Sequence, residues 1–211
     1  REGEEMTSTT EHISVMRDRC VDLLSPLIAT SSNPVVVDAT LGLGGHREAL
    51  LQKFPHLTVI GIDRDLDAIA KATVRLAPFA DRLKTAHSTF DGIADVVAGF
   101  GYKHIDGALF DLGVSSPQLD VAERGFSYRH DGPLDIRMDQ RSQLSAAEVV
   151  NNYEENDLSR LIADNADEKF ARRIAKAIVA ARPITTTTQL AEVVVAAIPA
   201  PARRTGGHPA K

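Results

Sequence analysis

The sequence contains little cysteine and no long apolar segment. Cys20 is the only cysteine among 211 residues, which excludes an internal disulfide and fits a reducing cytoplasm. No run of about 18 or more apolar residues occurs, so we expect no membrane-spanning helix. Cysteine and histidine do not occur at the spacing of zinc ligands, and we therefore expect no structural metal. These absences together favour a cytoplasmic globular protein.

The sequence also lacks an excess of basic residues. Its formal net charge is −5 at pH 7, which argues against a uniformly basic nucleic-acid-binding protein. Residues 1–115 carry all of this net charge, and the rest of the chain is neutral overall. An RNA-binding surface would therefore be a local cluster in the second half. The acidic start of the chain lacks the basic and then apolar pattern of a secretory signal, and we expect none.

The first half of the sequence alternates short apolar runs with helix-forming stretches. We predict strands at 35–37, 57–62, 82–86 and 105–110. We predict helices between them, at 45–54, 66–76 and 90–100. This alternation indicates an α/β fold with a parallel, doubly wound sheet and right-handed crossovers.

The second half of the sequence is irregular at first and then helical. Residues 112–141 are rich in Gly, Pro, Ser and Asp, and a connection of that length inside a compact protein is usually functional. Capping-box pairs that begin at Ser145 and Thr186, and an amphipathic pattern at 168–181, predict the helices that follow. Because the doubly wound fold usually has about six strands, we expect the sheet to be incomplete at the C-terminus.

A glycine-rich turn follows the first predicted strand. Asp38 ends that strand, and Ala39-Thr-Leu-Gly-Leu-Gly-Gly-His46 leads into a predicted helix. Glycines let the backbone approach a ligand closely, and the helix N-terminus offers free N–H groups. Asp63 ends the second strand about 20 residues later, where an acid can accept hydrogen bonds from ribose hydroxyls. The turn lacks the third glycine of G-x-G-x-x-G, which favours S-adenosylmethionine (SAM) over NAD; the alternative is a tight turn with a solvated Asp63.

Several longer motifs in the chain are unusual. They are Ala39-Thr-Leu-Gly-Leu-Gly-Gly-His46, Gly61-Ile-Asp-Arg-Asp65, Phe110-Asp-Leu-Gly-Val-Ser-Ser-Pro-Gln118, Arg124-Gly-Phe-Ser-Tyr128, Asp131-Gly-Pro-Leu-Asp-Ile-Arg-Met-Asp139 and Thr205-Gly-Gly-His-Pro-Ala-Lys211. Over residues 12–211 the chain resembles the bacterial 16S ribosomal RNA (cytosine-N4)-methyltransferase family. The resemblance implies a Rossmann-like class I SAM methyltransferase with an inserted all-helical domain. It also implies SAM as the cofactor and small-subunit ribosomal RNA, or the 30S subunit, as the partner.

The resemblance divides the chain into three parts. Residues 1–115 would form the N-terminal part of the SAM-binding domain, and residues 116–205 the inserted helical domain that recognises the substrate. Residues 206–211 would begin the return to the first domain. Since family members continue beyond this point, we expect the chain to be truncated. A homodimer is compatible with the sequence, which carries no signal of oligomeric state.

The resemblance also implies a set of cofactor contacts. They are Gly44, Gly45 and His46 in the loop, Asp63 at the ribose, Phe90 beside the adenine, Asp111 after the fourth strand, and Gln118. From the residues alone, core packing at a helix start is the better interpretation of Phe90, and His46 is interpreted as a side chain exposed at a helix N-terminus. Only the resemblance assigns these two residues to the cofactor.

The segment after the fourth predicted strand is the candidate reaction site, because parallel sheets bind ligands at the carboxyl ends of their strands. Cytosine N4 is a poor nucleophile, so a catalyst must accept hydrogen bonds from the amino group and align it with the methyl group. We hypothesise that Asp111, or Ser115 and Ser116 with nearby carbonyls, is this acceptor. Phe126 or Tyr128 would stack the unstacked base, although packing inside the loop explains both aromatic residues equally well.

Six basic residues in the second half are candidate RNA phosphate contacts. They are Arg129, Arg137, Arg141, Arg172, Arg173 and Lys176. The alternative is that they are ordinary surface charges paired with the equally numerous acids. Two other functions also fit the sequence, namely a SAM-dependent enzyme acting on a small molecule and a non-catalytic module that binds SAM or RNA.

Overall fold

A computed structural model describes residues 15–204, without the side chains of Ser116, Pro117 and Arg204. These residues divide between Gly113 and Val114 into two compact units, each with its own hydrophobic core. Within this part of the chain, no helix has the length and apolar character that crossing a membrane requires. The three functional domains expected from the resemblance stay a prediction, and residues 206–211 lie outside the described residues.

The first unit is built around a parallel sheet. Its four strands are β1 (Val35–Asp38), β2 (Thr58–Asp63), β3 (Leu83–His87) and β4 (Gly107–Leu109). They lie in the order β3-β2-β1-β4, with Val37 opposite both Ile60 and Ala108. Val37 and Ile60 are fully buried, since helices cover both faces of the two central strands. The predicted α/β fold class with a parallel, doubly wound sheet is confirmed.

Four helices pack against this sheet. They are α1 (Arg17–Thr30), α2 (Gly45–Lys53), α3 (Leu66–Arg75) and α4 (Ile93–Gly99). One core contains residues of α1 and α2 packed on Val36 and Val59. A second core contains Val97 of α4 together with Val37 and Ile60. Alternate residues of β1 therefore enter different cores, which is how a strand buried on both faces is accommodated.

The predicted strands and helices of this unit differ from the structure mainly at their ends. A 3-10 turn, Phe90–Gly92, forms the beginning of the helix predicted at 90–100. β4 has three residues rather than the six predicted at 105–110. The Asp106 carboxylate accepts a hydrogen bond from Val35 N at 2.7 Å, so this residue caps the sheet with its side chain rather than extending the strand.

The described part of the second unit is helical, and its strand pairing is limited to one isolated bridge between Pro133 and Thr186. The helices are α5 (Ser116–Asp120), α6 (Ala146–Asn152), α7 (Glu155–Ala166), α8 (Ala171–Ala181) and α9 (Thr187–Ala197). Thr186 forms the complete predicted capping box with Gln189. Ser145 caps α6 by accepting a hydrogen bond from Glu148 N. The amphipathic faces of α7, α8 and α9 meet in a core that includes Leu158, Ile174 and Ala197.

Candidate active site

The glycine-rich loop joins the carboxyl end of β1 to α2. Gly42 and Gly44 have φ angles of 47° and 82°, in the left-handed region that favours glycine. A Cβ on Gly44 would also lie 2.9 Å from Leu76 Cδ1. Leu41 N donates to Ile62 O at 2.8 Å, and Gly44 N donates to Leu41 O at 3.0 Å. The loop is therefore held against β2 with its backbone close to the start of α2, where the first helical N–H groups have no intrahelical acceptor.

Asp63, at the end of β2, both shapes this loop and faces it. Its Oδ2 accepts from Gly42 N at 2.8 Å, and its Oδ1 accepts from Asp65 N at 2.9 Å. The residue is half-buried, which differs from the solvated acid of the tight-turn alternative. Because each carboxylate oxygen has two lone pairs, both can accept a further hydrogen bond from a ligand hydroxyl.

His46 is buried in the first turn of α2, so its interpretation as an exposed side chain is wrong. Only 6% of the residue is exposed, and Nε2 lies 3.0 Å from the carbonyl oxygen of Val15. The ring thus contacts the backbone that precedes α1. If His46 binds a ligand of the loop, it would therefore do so through its backbone N–H group.

Phe90 and Phe110 form an exposed aromatic pair at the same edge of the sheet. Phe90 follows β3 and Phe110 follows β4, and their ring centroids are 6.2 Å apart with an edge-to-face angle of 78°. Phe90 is 52% exposed and Phe110 is 47% exposed, so the interpretation of Phe90 as core packing is wrong. An exposed ring at this edge can stack a flat heterocycle such as adenine.

Asp111 follows this pair, and its backbone is fixed although its side chain is exposed. Asp111 N donates to Thr40 Oγ1 at 2.7 Å. Thr40 lies in the glycine-rich loop, so this bond joins the segment after β4 to the segment after β1. The carboxylate of Asp111 is exposed to solvent at the carboxyl edge of the sheet, where it can accept hydrogen bonds from a ligand.

Sequence reasoning missed a buried ion pair beneath the loop. Arg47 of α2 is 0% exposed; Nη2 lies 2.8 Å from Asp38 Oδ2, and Nη1 donates to Leu41 O at 2.9 Å. Nε and Nη2 make no hydrogen bond with acceptable angles, so the contact with Asp38 is ionic rather than an aligned hydrogen bond. Burial lowers the pKa of Arg47, and the charge of Asp38 opposes that shift. The available signal was its spacing from Leu50 and Leu51, which lie on the same buried helix face.

The other candidate residues lie in the second unit. Gln118 is 8% exposed, and its Oε1 accepts from Ser115 N at 2.9 Å, so its side chain stabilises the turn into α5. Ser116 begins α5, but its side chain lies outside the described residues. Phe126 is half-buried beneath the guanidinium of Arg124, whose central carbon is 5.7 Å from the ring centroid.

Tyr128 lies beside an open cavity of about 510 Å³ that is also lined by residues of α9 and by Arg203. Its half-buried ring therefore has space beside it, whereas Phe126 lies under a guanidinium. This difference makes Tyr128 the stronger candidate for stacking a base.

Four of the candidate phosphate contacts, all of them arginines, have different environments. Arg129, Arg172 and Arg173 are exposed, the latter two opposite the buried face of α8. Arg137 instead donates to both carboxylate oxygens of Asp135, at 2.8 and 2.7 Å, and to carbonyl oxygens of its own loop. Asp135 raises the pKa of Arg137, and the hydrogen bonds from Arg137 lower the pKa of Asp135. Arg137 thus matches the paired-charge alternative more closely than a phosphate contact.

The structure therefore brings one group of predicted residues together. Gly44, Gly45, Asp63, Phe90 and Asp111 all lie at the carboxyl ends of the strands of the first unit. Across residues 15–204, no group of three or more His, Cys, Asp or Glu side chains could hold a metal ion. A loop of backbone donors, a ribose-compatible acid and an exposed aromatic ring suit a nucleoside-containing ligand.

Comparison with known proteins adds a family. The model of the MraW methylase family matches residues 9–211. The ribosomal RNA small subunit methyltransferase H of Salinispora arenicola (strain CNS-205) is 54% identical over 203 residues, which cover 95% of this chain and 55% of that protein. The protein of the same name from Kocuria rhizophila is 53% identical over 211 residues, covering 99% and 64%. That of Mycolicibacterium smegmatis is 54% identical over 208 residues, covering 95% and 56%. The chain thus spans less than two thirds of the length of these relatives.

Proposed function

Because this chain belongs to the MraW methylase family, we propose that it is part of a SAM-dependent methyltransferase acting on N4 of a cytosine in small-subunit ribosomal RNA. The observation that carries the proposal is the cluster at the carboxyl edge of the first unit, where the glycine-rich loop, Asp63, Phe90 and Asp111 meet. The names of the relatives support ribosomal RNA of the small subunit as the substrate. The choice of cytosine N4 rests on the motif resemblance and on the chemistry of the cluster.

The residues at this edge fit SAM. Gly44 leaves a space that a Cβ would fill against Leu76, and the loop backbone and the start of α2 can receive the carboxylate of the methionine moiety. Asp63 can accept hydrogen bonds from the ribose hydroxyls through its remaining lone pairs. Phe90 offers an exposed ring for the adenine. SAM, when bound there, supplies an electrophilic methyl group on a sulfonium.

The catalytic task of the protein is to prepare and orient the amino group. The lone pair of cytosine N4 is delocalised into the ring, so an acceptor for the amino N–H bonds raises its availability toward an electrophile. Asp111 has the exposed carboxylate that this step needs, at a position fixed by its own backbone bond to Thr40. Ser115 and Ser116 are retained as alternative acceptors.

We assign RNA recognition to the second unit. Tyr128 would stack a base of the RNA, which is worth about 1–3 kcal/mol for an aromatic side chain. Arg129, Arg172 and Arg173 would contact phosphates, because they are exposed and lie outside the apolar core. The substrate would be the assembled 30S subunit or its ribosomal RNA, in the cytoplasm.

The experiment that tests this proposal is methyl transfer from labelled SAM to unmethylated small ribosomal subunits, followed by digestion to nucleosides and mass spectrometry. The 211-residue chain is assayed beside a protein extended to the full length of its relatives, with subunits already methylated by the extended protein as the control. Label in N4-methylcytidine supports the proposal. Label in another nucleoside overturns the choice of cytosine N4. If the extended protein binds SAM but transfers no label, ribosomal RNA is not the substrate, and a small-molecule enzyme or a binding module is favoured.

A further inference from the structure

A continuous set of contacts runs under the glycine-rich loop, from α2 to the segment after β4. Arg47 contacts Asp38 Oδ2 at 2.8 Å, and Asp38 Oδ1 accepts from Thr40 N at 3.0 Å and from Thr40 Oγ1 at 3.2 Å. Thr40 Oγ1 in turn accepts from Asp111 N at 2.7 Å. Through Nη1, Arg47 also holds the carbonyl of Leu41 in the same loop. One guanidinium therefore contacts both the loop and the carboxylate that orients Thr40.

The direction of each bond in this set is defined by its chemistry. The hydroxyl of Thr40 donates its only proton to Asp38, so its lone pairs point toward the amide of Asp111. Asp38 is 1% exposed, and its Oδ1 accepts hydrogen bonds from both the amide and the hydroxyl of Thr40. Arg47 supplies the compensating charge, and its planar guanidinium places Nη1 to donate to Leu41 O while Nη2 lies 2.8 Å from Asp38 Oδ2.

Stability alone does not account for a buried pair of this kind. The energetic cost of removing two charges from water often equals or exceeds their mutual attraction, and a pair of apolar residues could fill the same volume. The space beside the pair is filled, because a Cβ added to Gly61 of β2 would lie 2.9 Å from Leu41 Cδ1 and 3.4 Å from Arg47 Nε. The pair does provide orientation, since it fixes a loop carbonyl and, through Thr40, one backbone amide.

We infer that Arg47 is a positioning residue of the methyltransferase site, acting on the cofactor loop through Leu41 and on Asp111 through Asp38 and Thr40. This inference rests on the proposed function in taking the loop as the SAM site and Asp111 as the acceptor. The contacts of Arg47 form two branches: the Leu41 branch is its hydrogen bond to the carbonyl of Leu41, and the Thr40 branch runs through Asp38 and Thr40 to the amide of Asp111. The two branches have separable consequences. Loss of the Leu41 branch weakens cofactor binding, whereas loss of the Thr40 branch misplaces Asp111 and slows methyl transfer without a comparable loss of cofactor affinity.

The Thr40 branch is tested with Thr40→Val and Thr40→Ser in the full-length protein. Valine has the shape of threonine without its hydroxyl, and serine keeps the hydroxyl. We expect Thr40→Val to raise hydrogen exchange at the Asp111 amide, read by NMR, by about ten-fold, as expected for the loss of one hydrogen bond of ordinary net strength. We also expect kcat to fall by at least as much, and by more than the dissociation constant for S-adenosylhomocysteine rises. Thr40→Ser should restore both values to near wild type, and equal exchange and kcat in all three proteins would overturn this branch.

The Leu41 branch is tested with Arg47→Lys, which keeps the charge but replaces the fork by a single ammonium group. We expect the dissociation constant for S-adenosylhomocysteine, measured by calorimetry, to rise about ten-fold, because a single ammonium nitrogen lacks the planar fork that places one nitrogen at Leu41 O and another at Asp38. The matched control is Arg82→Lys. Arg82 donates to the carbonyls of Leu51 and Phe54 at the opposite end of the sheet, so its loss lowers stability without changing cofactor affinity.

Equal dissociation constants for Arg47→Lys and wild type would overturn the inference. So would an equal increase in Arg82→Lys, because the effect would then be general destabilisation. Calorimetry and hydrogen exchange use no RNA, so both readouts stand if ribosomal RNA proves not to be the substrate. If Arg47→Lys does not fold, the Thr40 pair still decides whether the contacts orient Asp111.

Discussion

Replacing Gly61 by alanine tests how closely Leu41 and Arg47 pack against β2. Gly61 lies in the middle of β2, and its φ is outside the left-handed region that favours glycine. Alanine can therefore adopt its backbone conformation, and only steric contacts of the added methyl group oppose the substitution. The added Cβ would lie 2.9 Å from Leu41 Cδ1 and 3.4 Å from Arg47 Nε. Real Cβ contacts are essentially never as short as the first distance, so Leu41, which is 2% exposed, has to move within a filled core.

The expected loss of stability follows from two opposing terms. Overpacking of a core costs about 1–3 kcal/mol, while replacing glycine reduces the entropy of the unfolded chain and returns about 0.4–1 kcal/mol. We therefore expect Gly61→Ala to lower the free energy of unfolding by about 1–2 kcal/mol. Urea unfolding followed by circular dichroism measures this change, and hydrogen exchange across β2 assigns it to the first unit.

The matched control is Gly99→Ala at the end of α4. A Cβ there would meet no atom within 4 Å, and Gly99 does not have a positive φ. Only the entropic term applies, so the control should gain about 0.4–1 kcal/mol. If Gly61→Ala were as stable as Gly99→Ala, the space beside Leu41 and Arg47 would be larger than the structure indicates, and the reasoning on the packing against β2 would be refuted.

Three further changes have expected outcomes. Asp111→Ala should slow methyl transfer by about 100-fold or more, the usual contribution of a positioned proton acceptor, as measured with labelled SAM. The pKa of Asp135 is lowered by its hydrogen bonds from Arg137, so the pair stabilises the fold fully above the ordinary Asp pKa of about 4 and progressively less as the pH falls through the lowered value. Asp135→Asn should therefore reduce the Tm at pH 7, with a difference from wild type that shrinks toward pH 3. Replacing Arg172 and Arg173 by glutamine should reduce the slope of log affinity for RNA against log salt concentration by about 1–2.

Each of these three predictions would be contradicted by a specific result. A rate for Asp111→Ala within a few-fold of wild type would exclude the carboxylate from the chemistry. A constant Tm difference between pH 7 and pH 3 would mean that Asp135 does not act through its charge. Arg160→Gln is the control for the salt experiment, because Arg160 is exposed on α7 and pairs with Asp157. The same change of slope in that variant would show a general charge effect rather than contacts of α8.

Some of the fold was predictable because its sequence signals have a single physical origin. β1 and β2 are buried on both faces, so they appear in the sequence as short β-branched runs without alternation. The glycine-rich loop was predictable because Gly42 and Gly44 adopt the left-handed conformations that other residues avoid. Asp63 follows from the rule that parallel strands end at a common edge. These signals located the candidate cofactor site.

Other features were not predictable because their signals are mixed. α1 carries exposed Leu23 and Leu27 and an internal Pro26, so its apolar residues do not form the single stripe that indicates a surface helix. β4 lies at the edge of the described sheet and consists of Gly107, Ala and Leu, which have little preference for strands. Its length was therefore overestimated.

The burial and pairing of arginines were also not predictable from the sequence. A sequence pattern treats an arginine as a surface residue, whereas Arg47 is fully buried and Arg137 is bound to its own loop. In both cases the partner, Asp38 or Asp135, lies nearby in the chain, but an acid is found near most arginines in this sequence. Only the folded geometry separates these two from the exposed Arg172.

Asp38 and Asp63, which end β1 and β2, have different roles because they differ in burial and in their hydrogen bonds. Asp38 is 1% exposed, and both of its oxygens are occupied, one by Arg47 and the other by Thr40. Asp63 is half-buried, and its two oxygens each accept one backbone N–H, which leaves lone pairs available. Asp38 therefore stabilises the conformation of the loop, while Asp63 can also accept a hydrogen bond from a ligand bound at that loop. The same side chain, at the ends of adjacent strands, supplies a scaffold in one case and a binding group in the other.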